Sequence, residues 1–287
     1  MATAAVLTPH DVNTTLNYYT PIGEEAPFTY VFEPPEGIEK HNLGNETHPA
    51  VVHDARGRES DFNLDNSGFQ FVKHTSSEKM FLDEDQITSV YYKEVEELLK
   101  KQTGAKRVFI FDHTIRRNPN DPGLGIKASS TNPIRGPVRS KERVHIDQTF
   151  DASVARVHRH LGPEAPRLLK SRVRLINVWR PIGHPVAHKP LAVSDWRHLD
   201  TKNDLVPVRF IYPDRVGGTF SVKYNPQHKW YYLSNQTPEE VILIKCYDSE
   251  EDRARLTPHT AFLDATSPKE APHRESIEIR ALVFDAE

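Results

Sequence analysis

Short strand signals recur at close intervals through the second half of the chain, and they predict a mainly β fold with flanking helices. Proline and glycine punctuate most of the joins, for example at Pro213, Gly217, Gly218 and Pro238. This combination is typical of a double-stranded β-helix, that is, a jelly-roll or cupin-like barrel whose interior is lined by alternate residues. The strands predicted there span residues 173–179, 206–212, 220–224, 230–233, 240–247, 260–263 and 277–284.

The N-terminal quarter carries fewer strand signals. Residues 1–27 are polar and interrupted by proline and glycine, which predicts a loose arm before a single barrel domain over residues 28–287. Aromatic and β-branched residues predict strands at 28–32 and 69–73. Between these strands the polar run 37–66 predicts a loop that folds over a substrate.

The clearest helix is predicted at residues 83–102. Asp83 or Asp85 can cap its N-terminus, and Gly104 follows its last turn. Its apolar residues recur at helical spacing and predict one buried face. They are Ile87, Val90, Val95, Leu98 and Leu99.

A strand, a loop and a second helix are predicted next. Residues 108–111 have the composition of a buried strand, and residues 150–161 have helical spacing. Residues 117–141 are rich in Asn, Pro, Gly and basic side chains, which predicts a long loop. Loops in that position often shape a pocket or act as lids. The basic side chains of this loop can attract an acidic substrate, and a solvated loop is the favoured alternative.

Composition excludes several classes of protein. The 287 residues include 37 basic and 40 acidic side chains, a net charge of −3 that is too balanced for electrostatic binding of nucleic acid. No apolar run is long enough to cross a bilayer, and the N-terminus lacks the pattern of a secretory signal. The single cysteine, Cys246, permits no internal disulfide and favours a reducing, cytoplasmic location, with core packing as its predicted role.

The most informative motif is His145-Ile146-Asp147. A further histidine, His259, lies 112 residues after Asp147. In an extended segment residues i and i+2 point to the same side, so His145 and Asp147 can converge on one ion. Two imidazoles and a carboxylate hold one face of a ferrous ion and leave positions open for an oxo-acid and O2, as in non-haem Fe(II) oxygenases. The sequence therefore predicts an Fe(II) site formed by His145, Asp147 and His259.

A second motif, residues 274–280, alternates strictly between polar and apolar side chains. A strand there places Arg274, Ser276, Glu278 and Arg280 on one face. The planar fork of Arg274 can grip the distal carboxylate of 2-oxoglutarate, with the Ser276 hydroxyl as a second donor. Arg274 and Ser276 are therefore predicted to anchor this co-substrate, and exposed strand charges are the alternative interpretation.

Other histidines and polar residues compete with these assignments. His198 and Asp200 have the same spacing as the first motif, but a polar, turn-like stretch surrounds them. His158 and His160 lie on the predicted helix 150–161, where a solvated face is favoured. In the strand 173–179, Asn177 is predicted to face the site, and Trp179 and Arg180 mark the strand end. Asn177 and Arg180 are candidates for cofactor binding, and a purely structural role is the alternative for all three residues.

Several blocks of the sequence together resemble the fungal family of hydroxylase/desaturases related to gibberellin desaturase and to the cephem methoxylase component. The resemblance runs from about residue 28 to the C-terminus, and the Asn177-Val-Trp-Arg-Pro181 and His259-Thr-Ala-Phe262 runs are especially distinctive. The blocks are residues 106–116, 144–147, 175–182, 189–195, 230–232, 245–249, 258–262 and 274–280.

The resemblance implies an Fe(II)- and 2-oxoglutarate-dependent oxygenase of secondary metabolism that uses O2. Position by position, it implies iron ligands at His145, Asp147 and His259, and a co-substrate anchor at Arg274 and Ser276. The expected reaction is hydroxylation, desaturation or oxidative cyclisation of a small molecule. Three alternatives remain: a cupin-type metal enzyme that uses no 2-oxoglutarate, a barrel that only binds small molecules, and a zinc hydrolase.

Overall fold

Two β-sheets form the protein in the computed structural model, which describes residues 9–117 and 142–287. The larger sheet has the strand order β1-β3-β11-β8-β13-β6-β10-β9-β2, and the smaller has the order β4-β12-β7-β14-β5. In chain order the strands are β1 Val12–Pro21, β2 Phe28–Tyr30, β3 Leu43–Asp54, β4 Phe69–Lys73, β5 Arg107–Arg116, β6 His145–Ile146, β7 Val173–Pro181, β8 Leu191–Ser194, β9 Leu205–Ile211, β10 Val216–Val222, β11 Trp230–Tyr232, β12 Glu240–Asp248, β13 His259–Ala261 and β14 Ser276–Phe284.

The space between the sheets is filled by side chains from both of them. Leu191, Val193 and Tyr231 from the larger sheet share one buried cluster with Leu175 and Ile244 from the smaller. Sheets packed in this way form the jelly-roll barrel, so the predicted mainly β, double-stranded β-helix is confirmed. Cys246 belongs to the same cluster, as expected for a packing role, and burial raises the pKa of its thiol.

A helical segment covers the outer face of the smaller sheet. It consists of α1 Glu84–Gln86, a π-helical turn Ile87–Tyr91 and α2 Tyr92–Thr103. The Asp83 side chain accepts a hydrogen bond from the Asp85 backbone N–H, and Gly104 ends the helix at φ 70°. The π-helical turn contains one more residue than an α-helical turn. For this reason Tyr91, rather than the predicted Val90, is fully buried.

The helix α3 Phe150–Leu161 matches its predicted bounds, and the short α4 Ala165–Leu168 follows it. Thr149 caps α3 by accepting a hydrogen bond from the Ala152 backbone N–H. His158 is exposed as predicted, whereas His160 is half-buried and stacks on Phe111, with ring centroids 5.2 Å apart. No helix in the described ranges is long and apolar enough to span a membrane.

The prediction of a loose arm over residues 1–27 was wrong for the part that can be described. Strand β1 pairs with β3 along its whole length. The Asn17 carbonyl also accepts a hydrogen bond from the Val144 backbone N–H at 2.9 Å, beside the metal motif. The N-terminal segment is therefore part of the barrel, and it anchors the chain that enters this motif.

The prediction of a loop over residues 37–66 was wrong as well, because β3 occupies its centre. Much of β3 is exposed, so polar residues are tolerated there and the strand lacks an apolar signal. Pro49 pairs with Thr15 of β1, while β11 joins β3 only from Val52 onward. Pro49 thus lies before the point where β11 joins β3, so no backbone N–H donor is needed on that side of β3. The predicted lid at 117–141 lies outside the described residues, apart from Arg117.

Candidate metal centre

Three predicted ligands converge between neighbouring strands of the larger sheet. His145 in β6 is the register partner of His259 in β13. The side chain of Ile146 is fully buried in the cluster on the opposite side of the sheet, so His145 and Asp147 share the other face. The ligand atoms of His145, Asp147 and His259 all lie within 4.8 Å of one another.

Backbone carbonyls orient both imidazoles. His145 Nδ1 lies 2.8 Å from the Arg143 carbonyl oxygen, and His259 Nδ1 lies 3.0 Å from the Thr257 carbonyl oxygen. Because a carbonyl only accepts, each Nδ1 must carry the proton and each Nε2 is left as the metal-binding nitrogen. Hydrogen bonds of this kind select the tautomer of metal-bound histidines and hold the ring in place.

The carboxylate of Asp147 is held at one oxygen. Its Oδ2 accepts hydrogen bonds from Asn177 Nδ2 at 2.9 Å and from Arg280 Nε at 3.0 Å. Its Oδ1 lies 3.5 Å from His145 Nε2. The two donors therefore turn Oδ1 toward the histidines, which is the orientation that a metal ligand requires.

A second buried carboxylate, Glu278, completes this polar cluster. Its Oε1 accepts from Asn177 Nδ2 at 2.7 Å, and its Oε2 accepts from Arg116 at 3.1 Å and from Arg280 at 3.2 Å. Burial raises the pKa of Glu278, but the positive charges of Arg280 and Arg116 outweigh it and lower the pKa to about 2. Glu278 thus stays charged and holds Asn177 and Arg280 against Asp147.

The donor set fits a ferrous ion. Two imidazole nitrogens and one carboxylate oxygen leave about half of an octahedral coordination sphere to other ligands. Two buried polar atoms nearby, Ser276 Oγ and Asn177 Oδ1, have no hydrogen-bond partner among the described residues. Buried polar atoms are usually paired, so these two favour an additional polar ligand at the site.

Arg274 lies at a narrow cavity of about 20 Å³ that His145, His259 and Glu278 also line. Its Nη1 donates to the Lys189 carbonyl at 2.7 Å, and its guanidinium lies 5.8 Å from the centre of the Trp179 ring. Burial and the nearby charge of Arg116 lower the pKa of Arg274 to about 9. A carboxylate bound beside Arg274 would oppose this shift.

Arg180 does not belong to the site, and its predicted cofactor role was wrong. Its side chain lies in β7 next to Trp179 and points to the opposite face of the sheet. There Arg180 Nε donates to the Tyr91 hydroxyl at 2.9 Å, and Nη1 donates to the His74 carbonyl at 2.9 Å. Arg180 therefore joins the helical segment to the sheet.

The rival pair, His198 and Asp200, does not join the three converging ligands. His198 ends a short 3-10 helix, Trp196–His198, and it is absent from the cluster. Asp200 is exposed and accepts hydrogen bonds from Asn203 and from the backbone of the following turn. This pair has the local structure of a turn, as the polar sequence around it predicts.

The sequence placed Glu278 and Arg280 on the correct face, but it predicted no role for Glu278 and suggested Arg280 only as a second candidate for the co-substrate anchor, not as the residue that holds Asp147. It also missed Arg116 as a neighbour of the cavity, whereas Trp179, a candidate at the end of β7, does line it. The alternation of residues 274–280 was the available signal for Glu278 and Arg280. Arg116 carries no such signal, because it reaches the site only through the pairing of β5 with β14, where it lies opposite Ser276.

Gly68 supports the position of His259. It adopts φ 85°, and a Cβ at this position would lie 2.5 Å from Thr257 Oγ1 and 2.9 Å from the Leu256 carbonyl oxygen. We expect Gly68→Ala to lower the free energy of unfolding by more than the roughly 1–3 kcal/mol of backbone strain at a positive φ. The additional loss comes from displacement of the segment whose carbonyl orients His259.

Gly57→Ala is the matched control, because Gly57 adopts φ 78° but a Cβ there would meet nothing within 4 Å. Urea unfolding of both variants separates the two contributions. If Gly68→Ala and Gly57→Ala lower the free energy of unfolding equally, the contact between the new Cβ and Thr257 has no energetic effect, contrary to this expectation.

Comparisons with known proteins agree with this geometry. A family model described as "YDMC: Oxidoreductase/YMDC permease-like domain" matches residues 16–284. The hydroxylase/desaturase efuI of Hormonema carpetanum is 38% identical, over 98% of this chain and 97% of the relative. The Fe(II)/2-oxoglutarate-dependent dioxygenase nvfI of Aspergillus novofumigatus is 34% identical, over 91% of this chain and 92% of the relative.

A solved structure extends this agreement to three dimensions. The iron and alpha-ketoglutarate-dependent endoperoxidase NvfI superposes with a TM-score of 0.83 at 32% identity, covering 96% of this chain and 99% of the solved chain. Sequence and structure lead to the same assignment. The chain belongs to the family of fungal hydroxylase/desaturases and Fe(II)/2-oxoglutarate-dependent dioxygenases.

Proposed function

We propose that His145, Asp147 and His259 bind Fe(II), and that Arg274 and Ser276 bind the distal carboxylate of 2-oxoglutarate. The observation that carries the proposal is the set of three ligand atoms within 4.8 Å of one another. Bound Fe(II), with 2-oxoglutarate and O2, supplies the oxidation of a substrate C–H bond and yields succinate and CO2. Hydroxylation, desaturation and oxidative cyclisation are the outcomes open to such chemistry, and we propose a small molecule of secondary metabolism as the substrate.

The residues of the chain contribute binding, orientation and charge balance. The Arg143 and Thr257 carbonyls keep both imidazoles in the tautomer that presents Nε2. Asn177 and Arg280 hold Asp147 Oδ2, which supports the proposed cofactor role of Asn177 through the metal ligand that it contacts. The buried cation of Arg280 balances the charges of Asp147 and Glu278, and these carboxylates raise the pKa of Arg280 although burial alone would lower it.

The alternative functions explain fewer of these contacts. Neither a metal enzyme without 2-oxoglutarate nor a zinc hydrolase requires a buried arginine such as Arg274 beside the cavity. A barrel that only binds small molecules needs neither the three ligands nor their supporting hydrogen bonds.

A reducing cytoplasm is the proposed location, which the single buried thiol of Cys246 favours.

The proposal is tested by anaerobic reconstitution with Fe(II), followed by addition of 2-oxoglutarate and O2 with a panel of small metabolites. We expect succinate formation that requires iron and rises with the true substrate. The matched control is the same protein loaded with Zn(II), which does not change its oxidation state. Succinate formed equally with Zn(II), or absent with every member of a broad panel despite bound iron, would contradict the proposed function.

A further inference from the structure

A second and wider cavity, of about 290 Å³, reaches the candidate metal ligand Asp147. Its walls come from β5, α3, β9 and β10, and it shares none of its lining residues with the narrow cavity at Arg274. Arg280, which holds Asp147, also lines it. A molecule in this cavity would therefore lie beside the metal centre without occupying the space next to Arg274.

Part of the wall is aromatic and suits a ring-containing molecule. Phe111 of β5, Phe210 of β9 and Tyr212 beyond it line the cavity, and Ala152 and Ala155 of α3 leave room opposite them. Flat aromatic surfaces bury ring systems well, because they offer a large apolar contact area with few rotatable bonds.

Most charged groups that line the cavity already have partners of opposite charge. Arg280 contacts Asp147 and Glu278, and Asp112 lies 3.5 Å from Arg280. Arg215 pairs with Asp214 at 2.8 Å. These pairs balance one another, so they add little net attraction for a ligand.

Arg156 and Arg159 of α3, which also line the cavity, lack such a partner in the described ranges, and Arg156 is the more buried of the two. The Arg156 guanidinium lies 4.5 Å from the centre of the Phe111 ring, and its Nε and Nη2 each donate to Gln148 Oε1 at a long 3.4 Å. Burial lowers the pKa of Arg156 to about 10, so a neighbouring anion would stabilise its charge.

We propose that this cavity binds the substrate and that Arg156 recognises a carboxylate on a ring-containing small molecule. The assignment rests on the proposed function, because it takes Asp147 as a metal ligand. A guanidinium binds a carboxylate with two parallel hydrogen bonds, which fixes orientation as well as position. Gln148, the residue after Asp147, contacts Arg156, so a molecule held at Arg156 lies against the segment that carries the metal ligand.

The test compares 2-naphthoate with its neutral amide, 2-naphthamide, by calorimetric titration of the protein loaded anaerobically with Fe(II) and saturating 2-oxoglutarate. Saturation fills the carboxylate subsite at Arg274. We expect the acid to bind roughly tenfold or more tightly than the amide, the range typical of a hydrogen-bonded charged pair. Arg156→Met should abolish this preference, and Arg156→Lys should retain part of it.

Two further variants act as controls. Arg209→Met changes an exposed arginine adjacent to Phe210 in β9, so it should leave the preference unchanged. Ala155→Leu adds volume at the cavity wall and should weaken the acid and the amide together. This second variant places the probe in the cavity even if Arg156→Met fails to fold.

Equal binding of acid and amide by the unaltered protein would overturn the proposal, and so would a preference that survives in Arg156→Met. An acid that competes with 2-oxoglutarate would overturn it as well, because that result places the probe at Arg274. Failure of the unaltered protein to bind iron or 2-oxoglutarate would instead contradict the proposed function. The acid preference can then still be measured on the metal-free protein, so the two failures are distinguishable.

Discussion

Replacement of any one metal ligand should abolish succinate formation while the fold survives. His145→Ala, Asp147→Ala and His259→Ala each remove a direct bond to the ion. The loss of iron affinity should therefore exceed the roughly 10- to 100-fold that follows loss of an outer hydrogen-bond partner. Iron stoichiometry after gel filtration, together with the circular dichroism spectrum, measures the two effects separately.

The matched control for this series is His198→Ala, which removes a histidine that is not part of the cluster. It should keep both the iron content and the activity of the unaltered protein. Normal iron content in His145→Ala combined with its loss in His198→Ala would show that the wrong His-x-Asp motif was assigned.

Arg274→Gln should separate co-substrate binding from metal binding. Removal of an arginine that binds a buried carboxylate through two charge-assisted hydrogen bonds weakens binding by about 2–5 kcal/mol. The KM for 2-oxoglutarate should therefore rise by roughly 30-fold to several thousand-fold. Iron binding should persist, because Arg274 is not one of the three proposed ligands. Ser276→Ala removes only a neutral donor and should raise the KM by a smaller factor.

Arg167→Gln is a suitable control, because it changes an arginine whose side chain is 56% exposed and lies at α4. The measurement is a 2-oxoglutarate titration of succinate formation at fixed iron. An unchanged titration in Arg274→Gln would remove this residue as the anchor. Arg116, which lines the same narrow cavity, would then be the next residue to test.

The success of the sequence predictions follows from how local each signal is. The helix at Phe150–Leu161 and the strand at Phe69–Lys73 were predicted with the observed bounds, because helical spacing and apolar runs are properties of adjacent residues. Strands β1 and β3 were missed because they pair with each other at the border of the larger sheet and leave many side chains exposed. A polar strand whose stability comes from its partner has no apolar pattern of its own.

The metal ligands were recognisable from the sequence because their chemistry and their i, i+2 spacing are local features. His145 and Asp147 needed only an extended backbone to share a face, and the alternation of residues 274–280 placed Glu278 and Arg280 together. The supporting contacts are different in kind. Which strand brings Arg116 next to Glu278 depends on a pairing between residues 162 positions apart, and nothing in either segment encodes that register.

The sequence by itself determined the β-rich architecture, the identity of the proposed ligands and the face on which the 274–280 side chains lie. Only the tertiary structure decided the orientation of β7. Every residue of this strand is buried, so no alternation of polar and apolar residues marks its inner face. Pairing with β14 sets Asn177 opposite Arg280, which directs Asn177 to Asp147 and leaves Arg180 on the far side. Where both faces of a strand are buried, the neighbouring strands decide which side chains reach the site.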